Sequence, residues 1–328
     1  MESVLITGGA GYIGYNTVRL FQKNKVNVVS LDNMSRGNKW AKRNVTFVQG
    51  DIDESPLIKS LIKKYQIKTI IHFAAFAYVH ESIQSPRKYF ENNVIKSLNL
   101  IEIAAEAGIK NFIFSSSCAV YGNPKTIPIT EQHQTVPINP YGETKLFIEK
   151  VLHWYSIKYN MKYVALRYFN AAGASFLFKS GEYHSPETHI LPLLIKSTLS
   201  KNTTFKVFGD DYDTLDGTAI RDFIHIDDLS NAHYLACDYL IKGKTSAILN
   251  LGTGRGYSIL EIIKVTEQII GQKINYEIKP RRDGDPPILI ANYDLAKKHI
   301  GWVPKIKIKE IIESAYLWET KTLPGLLK

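Results

Sequence analysis

The sequence predicts an α/β fold in which a doubly wound parallel sheet is joined to a smaller, interleaved C-terminal α/β substrate lobe. Over the first half, short β-branched runs alternate with longer helical patterns. The predicted strands are almost continuously apolar, as expected for strands covered on both faces. A chain of 328 residues is also long enough for two lobes.

The predicted elements follow one another in a regular order up to Phe169. Strand patterns occur at "SVLITG", "VNVVSLDN", "VTFVQGD", "KTIIHFAA", "KNFIFSSS" and "KYVALRYFN". Helical patterns lie between them, and the two longest are "PRKYFENNVIKSLNLIEIAAEAG" and "NPYGETKLFIEKVLHWYSIKYN". We predict a nucleotide-binding domain over residues 1–169, to which a segment at about 215–250 returns, and a substrate lobe mainly over residues 170–328.

Composition and charge limit the class of protein. Hydrophobic residues make up 45% of the chain, and the longest apolar run, "TIIHFAAFAYV", is too short and too polar to span a bilayer. The two cysteines, Cys118 and Cys237, cannot build a disulfide scaffold, and no secretory signal is visible, so we expect a cytoplasmic protein. The net charge is +10, but the chain contains no run of five or more basic residues, so we do not predict nucleic-acid binding.

A glycine-rich turn, "TGGAGYIG", joins the first predicted strand to the first predicted helix. Gly9-x-Gly11-x-x-Gly14 matches the dinucleotide fingerprint, and Gly8-x-x-Gly11-x-x-Gly14 matches a variant of it. The glycines allow a tight turn and a close approach of the backbone to a pyrophosphate, which then faces the helix N-terminus. The motif at this junction predicts a Rossmann-type dinucleotide-binding domain.

Acidic residues at the ends of the second and third strands bear on the choice of cofactor. Asp32 lies 18 residues after Gly14, where a carboxylate binds the adenosine ribose hydroxyls and disfavours a 2′-phosphate. This favours NAD, although Arg36 nearby leaves NADP as the alternative. Asp51 ends the third strand and is either an acceptor for the adenine amino group or the N-cap of the next helix.

A tyrosine and a lysine four residues apart, Tyr141 and Lys145 in "PYGETK", are candidates for an acid/base pair. The spacing places both on one helix face, and a nearby ammonium lowers the pKa of a phenol. However, the segments "YGNPK" and "YDLAK", which begin at Tyr121 and Tyr293, have the same spacing. The spacing alone therefore does not identify the catalytic pair.

Further motifs resemble the extended short-chain dehydrogenase/reductase family, and within it the members that epimerise nucleotide sugars at C4. The matching segments cover essentially the whole chain: "GGAGYIG", "DNMSRG", "HFAAFAYVHESIQSP", "NNV", "FSSSCAVYG", "NPYGETK", "LRYFNAAGA", "FGDDYDTLDGTAIRDFIHIDDL" and "RRDGD". The resemblance selects Tyr141 and Lys145 over the two other pairs. It also implies a hydroxyl at the end of the fifth strand, with Ser117 preferred over Ser116.

The resemblance implies an NAD-dependent enzyme that interconverts UDP-glucose and UDP-galactose through a 4-keto intermediate, with NAD tightly bound and regenerated in each turnover. Tyr141 would accept the 4′-hydroxyl proton, Lys145 would hold the Tyr141 pKa near the working pH, and Ser117 would orient the hydroxyl. Pairing of the two long helices, about 86–107 and 141–160, would give a homodimer.

The same resemblance implies two sets of binding residues. The cofactor set comprises Gly8, Gly11, Tyr12, Ile13, Gly14, Asp32, Asn33, Ser35, Arg36, Asp51, Ile52, Phe73, Ala74, Ala75, Asn92, Tyr141, Lys145 and Phe169. The UDP-sugar set comprises Ser117, Tyr141, Asn170, His189, Lys206, Val207, Phe208, Arg221, Arg282, Asp285 and Leu289. Arginine is suited to the diphosphate because its guanidinium pairs bidentately with phosphate oxygens.

The chain departs from the family pattern at two positions, since the family often has Asn at His189 and Lys at Ala77. At Leu289 the family varies side-chain size to admit or exclude an N-acetyl group, and Leu is of intermediate size. The spacing of the histidines, including His184 and His189, suggests no metal site, and none is predicted.

Three alternatives stay open at this point. The first is a 4-epimerase for another nucleotide sugar, such as a UDP-N-acetylhexosamine or a UDP-pentose. The second, a 4,6-dehydratase, needs Thr-Asp-Glu where this chain has Ser117, Cys118 and Ala119. The third is a non-catalytic NAD-sensing protein, which typically loses the Ser/Tyr/Lys set kept in this chain.

Overall fold

The computed structural model describes residues 2–199 and 203–327 and contains fifteen short or medium strands within those ranges. In chain order they are β1 (Ser3–Thr7), β2 (Val28–Asp32), β3 (Thr46–Gln49), β4 (Ile67–His72), β5 (Asn111–Ser117), β6 (Lys162–Tyr168), β7 (Asn170–Ala172), β8 (Ala174–Ser175), β9 (Ser180–Gly181), β10 (Phe205–Phe208), β11 (Ile220–His225), β12 (Ala247–Leu251), β13 (Gly256–Ser258), β14 (Tyr276–Lys279) and β15 (Ile288–Leu289).

Helices connect most of these strands. They are α1 (Tyr12–Lys23), α2 (Ser55–Tyr65), α3 (Val79–Gln84), α4 (Pro86–Tyr89), α5 (Lys96–Glu106), α6 (Pro140–Tyr159), α7 (Ile190–Leu199), α8 (Ile226–Ile241), α9 (Ile259–Ile270), α10 (Asp294–Ile300), α11 (Ile308–Leu317) and α12 (Leu323–Leu326). The long helix predicted near residue 86 is α4 and α5, which are joined by a π-helical turn at Phe90–Ile95. No helix in the described ranges combines the length and apolar character needed to cross a bilayer.

Seven parallel strands form the central sheet in the order β12-β6-β5-β4-β1-β2-β3. The chain moves outward from β1 to β3 and then returns to β4 on the other side, so the order reverses between β1 and β4. Such a reversal opens a crevice at the carboxyl ends of the strands, where ligands bind in open α/β sheets. The predicted doubly wound parallel sheet is confirmed.

Alternating side chains bury both faces of this sheet. Val4 and Ile6 of β1 pack in one core with residues of α1 and α8, whereas Leu5 packs in a second core with residues of α2, α5 and α6. Because successive side chains of a strand point to opposite faces, a strand covered on both faces must be apolar at every position. This explains the continuous apolar runs in the sequence.

The second half of the chain builds smaller sheets and returns one strand to the large one. Strands β10 and β14 pair in parallel, and β11 pairs with β7, β13 and β15. Strand β12 pairs with β6 in the central sheet, while α8 packs beside α1. The division of the chain near residue 169 stays a prediction.

A buried histidine on α8 gives a prediction about acid stability. His233 is fully buried, its Nδ1 donates to the Leu229 carbonyl at 2.9 Å, and burial lowers its pKa to about 4. The unfolded chain takes up this proton near pH 6.5, so the free energy of unfolding falls as pH drops from 6.5 towards 4, by about 2 kcal/mol at pH 5.

Between pH 8 and pH 5 the free energy of unfolding should therefore decrease in both proteins, but by about 2 kcal/mol less in His233→Leu than in the wild type. Denaturant unfolding at both pH values measures the difference. The two proteins share the same carboxylates, so the contribution of these groups to the pH dependence cancels in the comparison. His153→Gln, at an exposed position, is the matched control and should follow the wild type. Parallel pH dependences of His233→Leu and the wild type would contradict the prediction.

Candidate active site

One cavity of about 780 Å³ opens at the carboxyl ends of the central strands and extends towards the smaller sheets. It brings together nearly all of the residues that the sequence indicated, although they lie as far apart in the chain as residues 8 and 289. The predicted residues that line it are Gly8, Gly11, Tyr12, Ile13, Gly14, Asp32, Asn33, Ser35, Arg36, Asp51, Ile52, Phe73, Ala74, Ala75, Asn92, Ser117, Tyr141, Lys145, Phe169, Asn170, His189, Lys206, Phe208, Arg221, Arg282, Asp285 and Leu289.

Val207 is the exception among the predicted residues. It does not line the cavity, and its side chain is buried in a core formed by the smaller sheets. The reason is the alternation of β10, which directs Lys206 and Phe208 to one face and Val207 to the other. The prediction that Val207 belongs with its two neighbours in the binding set is therefore wrong for its side chain.

The turn between β1 and α1 has the shape that a dinucleotide phosphate requires. Gly8 has φ +71°, and a Cβ at this position would lie 2.6 Å from the Ala74 nitrogen. A Cβ on Gly14 would lie 2.1 Å from the Gly8 carbonyl oxygen. Helix α1 begins at Tyr12, and no side chain caps it, so its first N–H groups remain available to an anion. These residues fit the pyrophosphate of NAD.

The acidic residues beside this turn are held in place by hydrogen bonds. Asp32 accepts from the backbone N–H groups of Ala10 at 3.0 Å and Met34 at 2.8 Å. Arg36 donates to both carboxylate oxygens of Glu81 at 2.8 Å, and its guanidinium lies over the Tyr78 ring. This Arg36–Glu81 pair weakens the NADP alternative, because a 2′-phosphate would have to compete with Glu81 for the guanidinium.

Asp51 does not cap the helix that follows it. Helix α2 begins at Ser55, and its N-cap is Glu54. The Asp51 carboxylate instead accepts from Asn33 at 3.1 Å and from Lys96 at 2.5 Å, at the edge of the cavity. Of the two roles left open by the sequence, only the cofactor-facing role agrees with this position.

Tyr141 and Lys145 lie one turn apart on α6, which begins where the Asn139 side chain accepts from the Gly142 N–H at 2.9 Å. Both side chains are buried at the cavity wall. Lys145 donates to the Ser115 carbonyl at 2.7 Å, and its Nζ is 5.7 Å from the centroid of the Tyr141 ring. Burial lowers the pKa of Lys145 to about 7, opposed by the charge of Glu149.

The pKa of Tyr141 differs from the expectation that Lys145 would lower it. Burial raises the pKa of Tyr141 to about 12, and the nearby Ser117 hydroxyl only partly opposes this effect. Burial also favours the uncharged form of Lys145, which leaves less positive charge beside the phenol. Formation of the phenolate at neutral pH therefore needs a cation other than the lysine alone.

The structure separates Ser117 from Ser116. Ser117 lines the cavity and accepts from the Ala119 N–H at 3.1 Å, whereas Ser116 donates to Glu149 at 2.5 Å on the other face of β5. Two other tyrosines are followed by a lysine four residues later, and neither of them lines the cavity. Tyr121 donates to Asn250 at 2.7 Å in the core, and Tyr293 precedes α10.

Two arginines and an aromatic ring form the far end of the cavity. Arg221 on β11 forms an ion pair with Asp285 and donates to the Ile220 carbonyl at 2.8 Å. The Arg282 guanidinium lies 3.8 Å from the centroid of the Phe208 ring. Both guanidinium groups come from segments distant in the sequence, and both line the same space, as binding of a diphosphate requires.

Sequence reasoning missed a group of four side chains in the loop between β9 and α7. We call Glu182, His184, Glu187 and His189 the Glu/His cluster; one ligand-type atom of each lies within 4.8 Å of the others. The prediction of no metal site, made from the spacing of the histidines, did not anticipate that His184 and His189 lie this close to two carboxylates. The pattern Glu-x-His-x-x-Glu-x-His was a signal that could have been used.

Comparisons with known proteins agree with this geometry. The model of the NAD dependent epimerase/dehydratase family matches residues 4–252. The chain is 46% identical to the UDP-glucose 4-epimerase of Halalkalibacterium halodurans, over 96% of this chain and 95% of that protein.

Solved structures give the same result. The chain resembles the UDP-glucose 4-epimerase of Brucella ovis in complex with NAD, with a TM-score of 0.93, 42% identity and coverage of 96% and 98%. It also resembles that of Bifidobacterium longum in complex with NAD⁺ and UDP, with a TM-score of 0.93, 36% identity and coverage of 98% and 99%.

Proposed function

Because the chain belongs to the NAD dependent epimerase/dehydratase family, we propose that it interconverts UDP-glucose and UDP-galactose with bound NAD. The observation that carries the proposal is a single cavity bounded by the dinucleotide turn, by Tyr141 and by Arg221. A cofactor and a diphosphate-linked sugar can therefore meet beside one acid/base residue. When bound, NAD takes up the hydride of the sugar C4 and returns it to the opposite face, and its positive ring favours the phenolate of Tyr141.

The remaining chemistry is assigned to this chain's own side chains. Tyr141 accepts the proton of the 4′-hydroxyl as C4 is oxidised and returns it as C4 is reduced. Ser117 lines the same cavity as Tyr141 and orients the same hydroxyl. Lys145 is held one helical turn away by the Ser115 carbonyl and would bind the nicotinamide ribose.

Binding of the substrate is assigned to the far end of the cavity. Arg221 and Arg282 would hold the diphosphate, and Asp285, which pairs with Arg221, would accept from a sugar or ribose hydroxyl. Asn170 lines the cavity beside β11 and donates to the Asp222 carbonyl at 3.1 Å, which fixes its position. The other cavity residues predicted for cofactor and substrate keep those roles as part of the proposal.

The function is tested by incubating the purified protein, without added NAD, with UDP-galactose, UDP-N-acetylgalactosamine, UDP-xylose or UDP-glucuronate in separate reactions. Chromatography should show UDP-glucose formed from UDP-galactose, because the tightly held cofactor is regenerated in each turnover. Formation of a 4-epimer from another sugar alone would replace the proposed substrate. No 4-epimer in any reaction would overturn the function.

Leu289 gives a prediction about the choice of sugar. It is buried at the cavity wall with Cys118 and Phe169. We expect Leu289→Ala to raise kcat/KM for UDP-N-acetylgalactosamine relative to UDP-galactose by about 10-fold, since removal of a few methylene groups changes discrimination by roughly that factor. Steady-state rates with the two sugars measure the ratio. An unchanged or lower ratio would show that Leu289 does not limit the space for the N-acetyl group.

The same proposal includes a homodimer in the cytoplasm. Phe147, Trp154 and Ile157 recur on one side of α6 and are exposed, and Phe90 and Ile95 are exposed next to α5. Such a set of apolar side chains is typical of a surface that a second copy covers. Light scattering of the purified protein measures the dimer. Cys118 and Cys237 are both buried free thiols, which fits a reducing compartment.

A further inference from the structure

The Glu/His cluster forms a compact pocket of ligand atoms within one loop. His189 Nδ1 lies 2.8 Å from a Glu182 oxygen and 3.0 Å from a Glu187 oxygen. His184 Nδ1 lies 3.4 Å from Glu182 and 3.6 Å from Glu187. Two imidazole nitrogens and two carboxylate oxygens thus converge from eight consecutive residues.

Hydrogen bonds within the protein satisfy only part of this cluster: Glu187 Oε1 accepts from the His189 N–H and His189 Nδ1 at 2.9 and 3.0 Å. His184 Nδ1 and Glu187 Oε2 are buried, and neither has a hydrogen-bond partner in the described structure. The Glu187 side chain is only 5% exposed, and a buried polar atom without a partner costs about 1–3 kcal/mol. These two atoms face each other at 3.6 Å, which is too long for a hydrogen bond.

The same separation suits two ligands of one metal ion. Tetrahedral Zn²⁺ binds nitrogen and oxygen at ~2.0–2.2 Å, which places neighbouring ligand atoms roughly 3.3–3.6 Å apart. Ca²⁺ and Mg²⁺ need six or more oxygen ligands or retained water, so a site with two imidazoles favours a transition metal. Metal binding would require both imidazoles to be neutral, and the two carboxylates would then balance the charge of a divalent ion.

We propose that Glu182, His184, Glu187 and His189 bind one Zn²⁺ ion per chain. The ion would close the loop between β9 and α7 on itself and fix His189 and His184, which line the cavity. Tyr78 packs edge-on against both imidazoles and would hold the rings in the orientation that binding requires. The site is structural, and because His189 is also in the predicted UDP-sugar set, its test is a measurement of metal content that does not depend on the proposed epimerase activity.

The test measures metal content rather than activity. Protein without a histidine tag is stripped with a chelator, incubated with ZnCl₂ and passed through gel filtration, and zinc is measured by mass spectrometry. We expect about one Zn²⁺ per chain, a higher Tm after zinc is restored, and an X-ray absorption spectrum with nitrogen and oxygen ligands at ~2.0–2.2 Å.

Variants distinguish this site from others on the surface. Glu187→Gln keeps the size of the side chain, and it should bind zinc at least ~10-fold more weakly because a ligand carboxylate is lost; Glu187→Gln/His184→Ala should retain none. His153→Gln, an exposed histidine, is the matched control and should retain one ion. The proposal would be overturned if the wild type retained less than about a tenth of an equivalent of zinc, or if the wild type and a folded double variant retained equal amounts. The four groups would then form an ion-pair network alone.

Discussion

Replacement of Tyr141 by Phe is expected to lower turnover at least ~100-fold while the protein keeps its NAD, because proton transfer by a positioned side chain contributes 10²–10⁴-fold. The substitution removes a single oxygen atom. The ring stays buried at the wall of the cavity, and the first residues of α6 keep the cap from Asn139. The effect should therefore appear in kcat and not in folding or in cofactor content.

The rate of turnover with UDP-galactose measures the loss of activity. The amount of NAD released when the protein is denatured measures the cofactor content. Tyr293→Phe is the matched control: it changes another tyrosine followed by lysine four residues later, but one that precedes α10 outside the cavity, so it should keep full activity. Turnover of Tyr141→Phe equal to that of the wild type would remove Tyr141 from its proposed role, whereas loss of NAD in this variant would point to a structural role.

The raised pKa of Tyr141 sharpens what the cofactor must do. At about 12, the phenol stays protonated near neutral pH, and burial lowers the pKa of Lys145 to about 7, which favours its uncharged form. We therefore expect the positive nicotinamide ring, when NAD is bound, to favour the phenolate that burial disfavours.

The predictable features were those that depend on neighbours in the chain. The apolar runs of β1, β2 and β4, the glycine turn and the start of α6 at Asn139 and Pro140 are all local, so the sequence alone indicated them. Ser117 was preferred over Ser116 from resemblance. The structure supplies the physical reason, since alternation along β5 gives one hydroxyl to the cavity and the other to Glu149.

Features that need the tertiary fold were not predictable. Arg221 and Asp285 pair across 64 residues, and Arg36 pairs with Glu81 across 45. The residues of the Glu/His cluster are close in sequence, but they lie in an irregular loop. Because such a loop has no regular period, the spacing of the residues does not predict which side chains come together. The side chain of Val207 faces away from the cavity because side chains alternate along β10, which a resemblance that treats three consecutive residues alike does not reflect.

Glu149 on α6 and Arg167 on β6 give the second large effect, this time on stability. Arg167 donates to the two oxygens of Glu149 at 2.9 and 2.5 Å, and both side chains are at most 5% exposed. Removing one partner leaves the other charge buried, so we expect Glu149→Leu to lower the free energy of unfolding by about 3–5 kcal/mol. Denaturant unfolding at neutral pH measures this loss.

The double variant Glu149→Leu/Arg167→Met tests whether the loss comes from the orphaned charge. Replacing both members of a buried pair by apolar side chains of similar volume is often neutral, so the double variant should recover most of the stability that Glu149→Leu loses. Additive losses in the double variant would instead mean that packing of the two side chains, or the hydrogen bonds to Ser116 and Tyr121, dominates. Recovery of stability with normal NAD content would show that the pair fixes α6 on the sheet by charge balance, beneath the turn that carries Tyr141 and Lys145.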